Sequence, residues 1–180
     1  MAEDRRSNFA APVQPGEYWL IEQPLGKELS SLERGALNSA DIVIYDHPLA
    51  ALVAQILPMG RYAEPLFHNG EAQLAVLPRA LRFASDGWRV AQLLEARLGT
   101  NHRLHDAVEA LIRLHADDLP LRAIAKRAVD RQELRDGRLH NLLELIGEFA
   151  ADDPLTLILG PLVAGCVAPP YAFAGNGLAG

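Results

Sequence analysis

Apolar positions along this chain follow two rhythms that take turns, short continuous runs and runs spaced by three or four. Tyr18 to Ile21 ("YWLI") is short, aromatic and β-branched and follows the Pro15-Gly16 turn signal, so it predicts a strand. Leu29, Leu32, Ala36 and Leu37 carry helical spacing to about Asn38, with Ser30 or Ser31 placed to cap it. Asp41 to Tyr45 ("DIVIY") runs apolar without alternation, as strands buried on both faces do. Pro48 to Leu57 is helical again, stopped by Pro58 and Gly60.

After "RYAEPLFHNGE", which reads as a looser connection, a helix is expected from about Ala72 to Ala84, with a kink or break at Pro78. The Asp86-Gly87 turn leads to "WRVAQLLEARL", strand-like at its start and helix-like at its end. Asn101 or Asp106 opens an amphipathic helix with Val108, Leu111, Ile112 and Leu114 on one side. "LPLRAIA" predicts a strand, "GRLHNLLELIGEFA" a helix with Leu139, Leu142, Leu143 and Ile146 inward, and "LTLILG" a buried strand over Leu155 to Gly160. The charge run "RAIAKRAVDRQELRDGR" reads as a solvated face. Strands alternating with helices give the α/β class and a largely parallel sheet.

Composition narrows the function classes. The 180 residues are 49% hydrophobic and 22% charged, and the formal net charge is -6. No clustered Lys and Arg are available to neutralise phosphates, which argues against nucleic acid as a partner. No apolar run approaches the roughly 20 residues that span a bilayer, so no membrane partner is expected and the expected location is cytoplasmic. A single cysteine, Cys166, excludes an intramolecular disulfide and a cysteine-only zinc site. It reads as a small buried apolar residue. Residues 1–15 read as a flexible leader, and residues 166–180, rich in Gly, Ala and Pro, as a tail without periodicity.

The segment "GEYWLI…LNSADIVIYDHPLAALVAQILPMG" resembles the opening of the tetrapyrrole methylases, in particular those of the uroporphyrinogen-III C-methyltransferase type. Gly16, Trp19 and Leu20 match the family's first strand. Ala40, Asp41, Val43, Tyr45, Asp46 and Leu49 match "A-D-V-V-L-Y-D-x-L-V", and Leu57, Pro58 and Gly60 match its "L-P-x-G" stop. Towards the C-terminus, Gln132, Gly137 and Leu139, then Pro154, Leu157, Ile158, Gly160 and Val163, fall in register with the family's closing elements. The resemblance implies a tetrapyrrole-methylase-like α/β fold with a parallel-rich sheet, flanking helices and a reduced second lobe. It divides the chain into an N-terminal methylase-like lobe (16–100) and a reduced C-terminal lobe (101–165). Such enzymes bind S-adenosylmethionine between their lobes, usually as homodimers, and methylate porphyrin precursors.

Two departures bear on that activity. Where the family has a turn of the type G-A-G-P-G-D after strand one, this chain has Glu22-Gln23-Pro24-Leu25-Gly26-Lys27. Where the family has R-L-K-G-G-D-P, Gly87, Arg89 and Val90 match the approach, but Leu94, Glu95, Ala96 and Arg97 replace the glycines, aspartate and proline. The family's central stretch is largely absent. Glycines in such turns admit positive φ and close ligand approach, which bulky side chains prevent. Pro24, Leu25 and Gly26 are therefore the vestigial cofactor turn, and no cofactor is expected. Asp46 is the candidate substrate-side residue, with capping of the next helix as the alternative. His47 reads as a solvated loop residue, and His102, His105 and His115 lack the further ligands a metal site needs, so none is expected.

The resulting expectation is a degenerate, non-catalytic homologue that acts as a binding or interaction module. Its partner would be a protein, a tetrapyrrole-like ligand or its own copy in a homodimer. The alternative is an active S-adenosylmethionine-dependent methyltransferase on a uroporphyrinogen-like tetrapyrrole.

Overall fold

A computed structural model describes residues 13–67, 70–100, 102–113, 119–128, 131–150 and 152–160. The expectations for the leader up to residue 12, for Leu114, His115, Val163 and Cys166, and for the tail lie outside these residues.

Seven strands form one sheet in the order β3-β2-β4-β1-β7-β5-β6. They are β1 (Tyr18–Glu22), β2 (Ile42–Asp46), β3 (Tyr62–Leu66), β4 (Val90–Leu94), β5 (Pro120–Ala128), β6 (Arg131–Arg138) and β7 (Leu155–Leu159). The first four are mutually parallel. β7 runs antiparallel to both β1 and β5, and β5 and β6 form an antiparallel hairpin. The α/β class stands, but the sheet is mixed. The segments on either side of residue 100 share it, joined at the β1–β7 seam.

The helices are α1 (Ser31–Ser39), α2 (Ala50–Ile56), α3 (Gly70–Ser85), α4 (His102–Arg113) and α5 (Leu142–Gly147). Strand alternation sends Tyr18, Leu20, Val90, Leu121, Ala123, Leu157 and Leu159 to one face, where α3, α4 and α5 bury Val76, Leu77, Ala80, Val108, Leu111, Leu142 and Ile146. Trp19, Ile21, Val43, Ala91, Leu93 and Ile158 face the other way, against Leu32, Ala36 and Leu37 of α1 and Val53 of α2. In α5, Leu145 takes the inward position expected of Leu143, which is half-buried.

Two local readings need correction. The break expected at Pro78 does not occur, and α3 continues through it. An interior proline costs about 3 kcal/mol, and burial of Val76, Leu77, Ala80 and Ala84 against the sheet offsets it. "YAEPL" is a strand rather than a connection, confined to the sheet edge as its Pro65 requires. The charge run keeps the solvated place expected of it, as the β5–β6 hairpin at the other edge, a strand by pairing rather than by apolar pattern.

Local chemistry fixes where the elements begin. Ser30 Oγ accepts from Glu33 N at 3.3 Å while Glu33 Oε2 accepts from Ser30 N at 2.6 Å, a reciprocal cap on α1. At the seam, Gly160 has φ +150, and a Cβ there would lie 2.6 Å from the Gly16 carbonyl oxygen. At the start of β2, Asp41 accepts from Arg89 Nε at 2.9 Å and Arg89 Nη2 at 2.6 Å. Those hydrogen bonds from Arg89 hold the Asp41 carboxyl below its usual range.

Ser30→Ala is expected to cost about 1 kcal/mol, read from the urea midpoint at unchanged slope. A depressed folded pKa means that the Asp41 contribution is complete above the ordinary carboxylate range, near pH ~4, and is lost as pH falls through the folded value. Thermal unfolding of Asp41→Asn followed against pH should show a shallower loss of stability in that acid window than the parent chain.

Candidate functional site

In an open α/β sheet, ligands bind where neighbouring strands send their connections to opposite sides, at the carboxyl ends. Here that point lies between β1 and β4. β1 leaves through α1 on one face, towards β2; β4 leaves through α4 on the other face, towards β5. The segments that meet there are Glu22 to Lys27 and Leu94 to Leu98, with Asp46 at the end of β2 beside them.

The turn after β1 closes on itself. Lys27 N donates to Pro24 O at 3.2 Å, and Gly26 supplies the φ of +79 that this turn needs at its third position. The Gln23 side chain fills the loop from inside, its Nε2 donating to Lys27 O at 2.5 Å and to Pro24 O at 3.5 Å. Gln23 N donates to Leu94 O at 2.7 Å, tying the turn to the end of β4. Leu25 projects from the tip and is exposed. The three turn residues singled out from sequence thus cap a plugged loop.

Two buried carboxylates hold the facing segment. Glu22 Oε1 accepts from Leu98 N, and Glu22 Oε2 accepts from Leu155 N at 2.9 Å. One side chain therefore joins the segment after β4 to the start of β7. Burial raises the Glu22 pKa, against the lowering effect of the Leu155 and Leu98 amides and the Arg97 charge. Asp46 lies in the same layer, and its Oδ2 accepts from Glu95 N at 2.8 Å. It occupies the N-cap position of the 3-10 turn His47–Leu49 but makes no side-chain cap there. The capping alternative therefore fails: the carboxylate turns towards the β4 segment instead.

Beneath these groups, Tyr18 Oη donates to Gln92 Oε1 inside the core. Burial, and then the Asp46 charge, push the Tyr18 phenol well above its ordinary value. This polar layer was missed from sequence, where Tyr18 and Gln92 look like ordinary strand positions. Its only signal is the period-two spacing of Tyr18, Glu22 and Gln92 on one face. His47 is exposed, its ring 4.7 Å from that of Phe67. The His102 and His105 rings stand edge-on at 6.0 Å. No group of three or more possible metal ligands occurs among the described residues.

No family model matches the sequence, and no curated relative does. Among solved structures, the chain is similar to the crystal structure of uroporphyrin-III-C-methyltransferase from Thermus thermophilus. The match covers 87% of this chain and 98% of that one, at 15% identity and a TM-score of 0.42. This is a distant resemblance and assigns no family.

Removing the Glu22 carboxylate leaves two buried amides without their acceptor, so Glu22→Ala should cost about 3 kcal/mol in chemical denaturation. The raised folded pKa makes the native state hold the proton more tightly than the unfolded chain does. Above about pH 4.3, the ordinary glutamate value, wild type should therefore lose stability relative to Glu22→Gln as pH rises towards the folded value. Parallel thermal melts across that window measure the difference.

Proposed function

We propose that this chain is a degenerate homologue of the tetrapyrrole methylases that no longer transfers methyl groups and works as a binding module. The reading draws on the sequence motifs around Trp19 and Asp46 and on the chemistry of the switch-point crevice. One observation carries it: the amides that a carboxylate or ribose of S-adenosylmethionine would need are taken by the protein's own groups. Glu95 N is held by Asp46, Leu98 N by Glu22, Lys27 N by Pro24 O and Gln23 N by Leu94 O.

Binding would have to break several of these bonds together and would bring a ligand carboxylate up to Glu22. Each buried group stripped of its partner costs about 1–3 kcal/mol. Opening two or three of them would erase the gain from a small polar ligand. What remains for function is recognition through the surface.

Isothermal calorimetry on the full chain with S-adenosylmethionine and S-adenosylhomocysteine tests the reading. No heat of binding is expected at millimolar ligand. Micromolar binding of either ligand would overturn the reading and favour the working methyltransferase, with Asp46 beside the substrate. A visible-absorbance titration with uroporphyrin separates tetrapyrrole capture from recognition of another protein.

A further inference from the structure

The two edges of the sheet are built differently. β3 is five residues long and carries Pro65, which removes a ladder donor and protects the edge. β6 is eight residues long without proline, and among the described residues β5 is its sole neighbour in the sheet. Leu134, midway along β6, is one of the exposed large apolar side chains, at 40%. Its outer row of N–H and C=O groups is a template for another strand.

Charge decides which strand fits. A two-fold axis normal to the sheet keeps each face of the strand on its own side, and directly opposed residues share a face. The axis for two antiparallel copies of β6 must therefore pass through a residue. Centring it on Glu133 or Arg135 sets two like charges against each other; centring it on Asp136 does the same. Centring it on Leu134 opposes Leu134 with its own copy and places Glu133 opposite the partner's Arg135 on both sides of the axis. Residues 131 and 132 then fall opposite 137 and 136, so seven positions overlap with no like-charge pair.

The remaining charges are compatible with that register. Arg135 already pairs with Glu133 in its own chain and lies 3.5 Å from Glu148. Asp136 is neutralised on the other face by Arg122, whose Nε and Nη2 donate to it at 2.6 and 2.9 Å. Mixed charge on an edge usually blunts association; of the registers that overlap five or more positions of β6, this is the one that opposes no like charges.

We propose that two copies of this chain join through antiparallel β6–β6 pairing centred on Leu134, extending the sheet across the dimer. The pairing uses an edge remote from the β1–β4 crevice and holds whether or not that crevice takes a cofactor.

Sedimentation equilibrium on the full chain should show a dimer. Arg135→Glu, which sets Glu133 against glutamate twice, should weaken it at least about tenfold, and the exchanged pair Glu133→Arg/Arg135→Glu should restore it. Opposed Cα atoms in such a ladder lie about 4.5–5.5 Å apart, within disulfide reach. Leu134→Cys in a Cys166→Ser background should thus give a covalent dimer on mild oxidation, while Asp136→Cys in the same background should not. If charge reversal unfolds the chain, as circular dichroism would show, the cysteine pair decides alone. A wild-type monomer, or a dimer that Leu134→Cys fails to cross-link, overturns the proposal.

Discussion

The Glu22 carboxylate is the constraint on which the arrangement turns. It sits at the end of β1, buried, and binds one amide from the turn after β4 and one from the start of the antiparallel strand β7. Without such a bridge, Leu98 and Leu155 would each bring an N–H into an apolar layer with no acceptor, which buried backbone does not tolerate. A carboxylate can serve two donors at once because it offers an oxygen to each. The raised pKa is the cost of keeping that charge in the core. The same side chain ties the β1–β7 seam and holds the segment after β4 at the switch point, so one carboxylate serves both places.

The parallel half was legible because its residues announce themselves. "YWLI" and "DIVIY" are runs that only a doubly covered strand can bury, and the Ser30-Ser31 pair marks a helix start. The antiparallel half was harder. β6 contains one apolar residue, Leu134, and becomes a strand because β5 offers it a partner across the hairpin. β3 was hidden by Pro65, which a central strand would not carry but an edge strand can. Nor can sequence separate a parallel from an antiparallel neighbour when the strand, like "LTLIL", is apolar throughout.

At the switch point, sequence singles out Glu22 and Gln23 as bulky side chains in a turn that the resembled family fills with glycine. What it does not show is their bonding: the Gln23 amide satisfies the carbonyls of its own turn, and Glu22 satisfies amides 76 and 133 residues away. Contacts of that span have no local signature. Asp46 illustrates the same point, since its place before Pro48 suggests a cap, and only the fold brings Glu95 N within its reach.

The hairpin adds a last consequence. β7 covers β5 over Leu121 to Ala125, while the ladder with β6 continues to Ala128. Leu121 sits level with the start of β1 and Ala125 with its end, so the overhang extends past the edge where Glu22 lies. Strand held on one side opens locally at lower free energy than strand held on both. Amide exchange should therefore be graded along β5, slow over Leu121 to Ala125 and faster beyond. The sheet is held most firmly in its interior, and the hold weakens along the β5 overhang.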